Sequence, residues 1–382
     1  MVNAVKVFKK TAPNGKITVY LGRRDFVDNT STTEPVDGVV VCDNDYLRGR
    51  NVYATVTVTY RFGREEDEVM GLHFSKEMQL ATHQIYPSVD QLEPTGVQER
   101  LIKKLGGNAC PFAVTLPDNA PASVQLSSGT EETSKPLGVI YELRVFVGDN
   151  SEEKPHRRNS VTLAVRKVQY SPLDRNKRQP STLVSKGFTL SSGKLNLEVT
   201  LDKDIYYHGE QVQANLNIKN ASRKTVKNIK CAVIQHVEVT MTNNHFSREV
   251  ASLESKEGCP ITPGTNLQKS FCLSPLASSN KNKSGIAMDG KTKDTDSNLA
   301  SSTVIGEGKN PNDALGIVVS YAVRVRLNCG ALGGELLADL PFKLMHPIPG
   351  DLGGVSKTQM ENENIEFEDF ARLRRGMSVD QP

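Results

Sequence analysis

The 382-residue sequence predicts an all-β protein of two tandem antiparallel β-sandwiches with one short amphipathic helix. Apolar residues recur mainly with period two, turn-forming clusters separate the runs at sandwich-like intervals, and a segment near residue 15 returns near residue 193. The opening strand sets Lys6, Lys9 and Lys10 beside Val5, Val7 and Phe8. Lysines there suit a solvated edge strand guarded against aggregation; together with Arg24, Lys103 and Lys104 they equally suit a cationic strip for a polyanion, and spacing does not choose. Pro13-Asn14-Gly15-Lys16 and Pro35-Val36-Asp37-Gly38 read as turns. Val52 to Tyr60 alternates in β-branched and aromatic residues, a half-buried strand. Thr95 with Gln98 forms a capping box, Val97, Leu101 and Leu105 share a helical face, and Gly106 suits the C-terminal cap, so a helix is expected there. Ser171 to Pro180 is polar, aperiodic and holds two prolines, which marks a hinge. Tyr207-His208-Gly209-Glu210 is another turn; Val212, Ala214, Leu216, Ile218 and then Tyr321, Val323, Val325, Leu327 are further strands. The repeat pairs Gly15–Leu21 and Arg24-Asp25 with Gly193–Val199 and Lys203-Asp204, which is what two similar sandwiches would leave in the sequence. Beyond Pro347, Pro349 and Gly350 the chain is polar until Ile365 to Arg372, an apolar and charged patch too short to fold alone.

Composition narrows the function. With 37% hydrophobic and 24% charged positions the chain is globular, and 47 Lys plus Arg against 44 Asp plus Glu leave a net charge of +3, too little for nucleic-acid binding through bulk charge. No run approaches the roughly 18 apolar residues of a membrane span, and the first ten residues lack a signal-peptide block, so a cytosolic protein is expected. The six cysteines are far apart without C-x-x-C pairs and read as reduced thiols; the seven histidines are scattered without metal-ligand spacing, so neither metal nor cofactor is expected. Gly285 to Thr292 fits the phosphate-loop pattern G-x-x-x-x-G-K-T, but its flanks are loop-like where that chemistry needs a strand before and a helix after. Neither G-x-S-x-G nor H-E-x-x-H occurs, and an enzyme is not expected.

Longer stretches carry a resemblance. Val7 to Lys16, Tyr20 to Asp28, Pro35 to Val39, Tyr60 to Asp67, Arg166 to Tyr170, Ile205 to Glu210 and Asn298 to Thr303, in that order, resemble the arrestins, and most of all the rhodopsin-binding visual type of invertebrates. The resemblance implies an N-terminal sandwich over 1–170, a hinge at 171–181, a C-terminal sandwich over 182–349 and a regulatory tail over 350–382 that docks back on the N-domain. It implies binding to an activated, phosphorylated G-protein-coupled receptor such as rhodopsin, with G-protein coupling blocked and signalling ended.

By the same resemblance Asp25, Arg166, Asp289, Asp296 and Arg372 form a buried polar core with Arg166 as phosphate sensor, while Lys9, Lys10, Arg24, Lys104 and Lys293 meet receptor phosphates. Val7, Phe8, Val97, Leu101, Leu105, Ile365 and Phe367 form a clamp that holds the tail. Asp67, Val69, Met70, Gly71 and Leu72 lie in the finger loop that enters the receptor. Phe367, Phe370 and Arg374 are similar to the motif by which arrestins bind the AP-2 adaptor, which keeps an endocytic adaptor as the alternative, and Lys230, Arg248, Arg324 and Arg326 partly match a phosphoinositide site.

Overall fold

The computed structural model describes residues 5–28, 32–63, 68, 73–89, 91–130, 137–171, 178–189, 192–290, 298–304, 316–331, 333–347 and 365–369. The first half of the chain supplies β1 (Val5–Thr11), β2 (Ile17–Leu21), β3 (Asp25–Asp28), β4 (Val36–Cys42), β5 (Asn51–Arg61), β6 (Ser75–Tyr86), β7 (Ala109–Val114), β8 (Val124–Ser128), β9 (Leu137–Gly148) and β10 (Ser160–Gln169). It also holds the one-turn helix α1 (Asn44–Leu47) and the longer α2 (Gly96–Leu105). The second half supplies β11 (Ser181–Gly187), β12 (Lys194–Leu201), β13 (Ile205–Tyr207), β14 (Val212–Asn220), β15 (Asn228–Val239), β16 (Asn244–Ser255), β17 (Asn266–Leu273), β18 (Ser284–Asp289), β19 (Ile317–Asn328), β20 (Glu335–Met345) and β21 (Ile365–Asp369).

These strands make two pairs of sheets. In the first sandwich the order β21-β1-β2-β4-β7 faces a sheet running β18-β8-β9-β10-β3, which β5 and β6 extend from β9. In the second, β11-β12-β14-β17 faces β13-β20-β19-β15-β16. Most neighbours are antiparallel, and the tandem repeat is visible in the exceptions: β3 runs parallel to β10, and its counterpart β13 runs parallel to β20. Two strands from the second half cross into the first sandwich: β18 pairs with β8, and β21 pairs in parallel with β1. The first sandwich is therefore completed by chain that lies far away in sequence.

Two expectations are corrected. Pro35-Val36-Asp37-Gly38 is not a turn, because β4 begins at Val36; Gly38 is needed where a Cβ would come within 2.6 Å of the Tyr20 carbonyl oxygen. The strand at Val52 to Tyr60 is buried on both faces rather than half-buried. Its outward Thr55 is flanked by Thr82 and Arg144 and its Thr57 by Gln79 and Glu142, and these longer neighbours on β6 and β9 cover the short threonines. The helix is as expected. Thr95 accepts from the Gln98 N–H, Gln98 accepts from the Thr95 N–H at 2.9 Å, and the Gly106 N–H caps Ile102 with φ at 88°. Gln98 does more than cap: its buried amide donates to the carbonyls of Gly38 and Phe112, each at 2.9 Å, which ties α2 down onto β4 and β7.

Candidate functional site: a charge pair beside a docked tail strand

Pairing of β10 with β3 sets Arg166 opposite Asp25, and the Arg166 N–H donates to the Arg24 carbonyl at 2.8 Å. The planar guanidinium then uses its fork twice. Nε donates to Asp25 Oδ1 at 2.8 Å and Nη2 to Asp25 Oδ2, while Nη1 donates to the carbonyl of Gly290 at 2.9 Å. Gly290 directly follows β18, so one side chain grips the first half of the chain through β3 and the second half through β18. The arginine side chain is 11% exposed and the Asp25 side chain 40%, so solvent screens the pair from the carboxylate side.

Asp289, expected in the same polar core, is buried one residue away, but its carboxylate turns elsewhere: Oδ2 meets His346 Nε2 at 2.6 Å and Oδ1 accepts from the Ser301 N–H at 3.3 Å. Successive residues in an extended chain point to opposite sides, so among the described residues the Asp289 carboxylate and the adjacent Gly290 carbonyl meet different partners. Asp296, Arg372 and Lys293 lie outside the described residues, as do Asp67, Val69, Met70, Gly71 and Leu72 of the finger loop and Phe370 and Arg374 of the adaptor-type motif.

Of the residues expected to hold the tail, all but Phe8 lie together on β1, α2 and β21. Strand β21 lies on β1 with Ile365 opposite Val5 and Phe367 opposite Val7. Val7, Tyr20, Val39, Leu101 and Ala109 form a separate apolar cluster, against which Val5, Val97, Leu105 and Ile365 pack. The Phe367 ring lies 5.3 Å from that of Tyr20 with Lys104 4.6 Å above it, and Lys104 also donates to the Ile365 carbonyl at 3.0 Å. Phe8 departs from expectation. Alternation along β1 sends it to the main sandwich core, where its ring lies under Arg24 at 5.2 Å.

That alternation also divides the expected cations. Lys9 shares the face of Val7, and Lys104 reaches that side from α2, whereas Lys10 donates to the Thr162 carbonyl of β10 and Arg24 lies against Phe8. Burial lowers the Arg24 pKa, partly offset by the charges of Asp25 and Glu368, the latter on the tail strand. In the second sandwich Lys230, Arg324 and Arg326 do share the outer face of β15 and β19, but each is matched to an acid: Glu249 at 2.8 Å, Asp339 at 2.7 Å and Glu335 at 3.4 Å. Arg248 donates to the Ser284 carbonyl at 3.1 Å. An anion would have to compete with these partners. Gly285 to Asp289, the start of the phosphate-loop pattern, are strand residues of β18 and not a phosphate-cradling turn.

Sequence reading missed two groups. Lys167, next to Arg166 but on the opposite face, is buried and donates to both Asp28 and the Ala120 carbonyl. His208, Asp289 and His346 also converge, their nearest ligating atoms within 4.8 Å. The adjacent basic pair at 166–167 facing Asp25 and Asp28 was a readable sign of the first; nothing in spacing pointed to the second.

The two halves of the chain match, over residues 17–171 and 191–349, the family models of the arrestin (or S-antigen) N-terminal and C-terminal domains. The chain belongs to the arrestin family. It is 59% identical to an arrestin homolog of Locusta migratoria (98% of this chain and 97% of that protein), 56% identical to the lateral-eye arrestin of Limulus polyphemus (97% and 96%) and 53% identical to phosrestin-1 of Drosophila melanogaster (98% of both). In this arrestin the charge pair, the seated tail strand and the crossing of β18 all fall within segments that span the matched domains or lie just beyond them. Among the described residues no helix is long and apolar enough to cross a membrane.

Proposed function

We propose that this arrestin binds an activated, phosphorylated G-protein-coupled receptor of the rhodopsin type at the photoreceptor membrane, blocks G-protein coupling and ends signalling. The observation that carries the reading is the grip of Arg166 on Asp25 and the Gly290 carbonyl beside a tail strand held by Lys104 and Phe367. A phosphate group bears close to two negative charges and accepts strong hydrogen bonds, so it competes for the Arg166 fork more effectively than a half-exposed carboxylate. Loss of that grip frees the Asp25 side, and a second phosphate on Lys9 or Lys104 weakens the hold on β21. Release of the tail then favours a second arrangement of the halves, a two-state switch biased by differential contacts. The finger-loop residues Asp67 to Leu72 supply the activation-sensitive contact, and Asp296, Arg372 and Lys293 complete the charge network.

The test is a pull-down on membranes holding dark, light-activated, or light-activated and phosphorylated rhodopsin. Strong binding only to the last supports the reading, and equal binding to all three removes it. The endocytic reading is favoured by one contact: Phe367 of the adaptor-type motif lies against Tyr20 and Lys104, so tail release is what would present it to AP-2.

A further inference from the structure

The histidines lie where the two halves meet. His346, just beyond β20, accepts at its carbonyl from the Ser171 N–H, stacks on Tyr170 with ring centroids 5.1 Å apart, and meets Asp289 Oδ2 through Nε2. His208 lies 4.5 Å from the His346 ring and pairs its Nε2 with Ser301 Oγ at 3.1 Å; the Ser301 N–H holds the other oxygen of Asp289. Both oxygens of one buried carboxylate are thereby fixed, and the next peptide group carries the carbonyl that Arg166 grips.

We infer that His346, backed by His208 and Ser301, is a positioning residue: it anchors Asp289 and so holds the Gly290 carbonyl at the Arg166 guanidinium. The inference rests on the proposed sensor role of Arg166, and extends it to a group that touches no phosphate. Freeing Asp289 lets the end of β18 drift, Arg166 loses its bond to the Gly290 carbonyl, and its hold on half-exposed Asp25 is then easier for a phosphate to displace. The three side chains are also a set that could ligate a metal ion, but both Nε2 atoms and both Asp289 oxygens already hold partners, with Ser301 supplying two of the contacts.

The test uses the full chain and needs no receptor, so its failure is separable from failure of the receptor reading. Amide exchange is followed by mass spectrometry in wild type, His346→Leu, which removes the bond to Asp289, and His346→Gln, which keeps an N–H for it. The expected result is exchange at least tenfold faster at Asp289, Gly290 and Arg166 in the leucine variant, little change in β19, and substantial rescue in the glutamine variant. Should the leucine variant fail to fold, the glutamine variant is compared with His208→Gln, which breaks the link to Ser301 and is expected to loosen the same amides. Unchanged exchange at Gly290 and Arg166, or equal acceleration throughout β18, β19 and β20, overturns the inference. So does equimolar zinc that raises the melting temperature of wild type and not of His346→Leu, which would make the cluster a metal site.

Discussion

Replacing Phe367 by alanine separates tail docking from the stability of the rest of the chain. Phe367 is 39% exposed, so the alanine forfeits roughly three-fifths of what a fully buried phenylalanine contributes, about 1–2 kcal/mol. The tilted contact with Tyr20 and the Lys104 cation above the ring add about 1 kcal/mol together at a partly exposed site. The total of about 2–3 kcal/mol corresponds to roughly a 30- to 150-fold shift from docked toward released tail. Because β21 is an edge strand that pairs only with β1 at the end of its sheet, the cost falls on a local equilibrium and the main unfolding transition stays within a degree or two. The assay is amide protection across β1 and β21 with a melting curve on the same sample. Protection should fall by about that factor, and binding to activated but unphosphorylated receptor should rise. Unaltered protection would refute the clamp as a tail lock, and a melting temperature that drops in parallel would show that β21 is part of the global fold.

Other expectations follow from buried groups. Leu101→Ala, at a position 1% exposed in the clamp cluster, should cost about 2–4 kcal/mol in denaturant unfolding. Gln98→Ala leaves the Gly38 and Phe112 carbonyls without their donor and opens the capping box, and should cost about 2–3 kcal/mol by the same measurement. Burial pushes the pKa of His208 down to about 4 from its ordinary 6.5, so between those values the unfolded chain binds a proton that the folded chain refuses. This contribution lowers stability as pH falls through 6.5, reaching about 3 kcal/mol near pH 4, and His208→Gln should flatten that part of the stability profile. Cys42 and Cys231 have thiol pKa values pushed up to about 12 by burial, whereas Cys272 is exposed; a maleimide at neutral pH should label Cys272 first, as peptide mapping would show.

What could be read in the sequence was what local chemistry and period decide. The capping box at Thr95 and Gln98 needs only neighbouring residues, and the repeat of Gly15–Leu21 at Gly193–Val199 maps onto β2 and β12 with their parallel partners β3 and β13 placed alike. Arg166 and Asp25 were legible through resemblance, and the register of β10 on β3 brings them together. Register is also what the sequence withheld. Which face of β1 carries Phe8, and which acid answers Lys230, Arg324 or Arg326, depends on strand pairings between segments tens of residues apart. His208, Asp289 and His346 come from three strand ends, so no spacing rule could have gathered them, and the crossing of β18 into the first sandwich is what sets Asp289 beside the arginine site.

In the proposed function the Arg166–Asp25 grip is the lock that a receptor phosphate opens. The direct measurement compares wild type, Arg166→Glu and the reversed pair Asp25→Arg with Arg166→Glu on activated rhodopsin membranes with and without phosphorylation. Arg166→Glu should bind both membranes about equally, because like charges at this spacing hold the lock open, and the reversed pair should recover much of the phosphate requirement. An Arg166→Glu chain that is folded by its melting curve and still binds only phosphorylated receptor would contradict it.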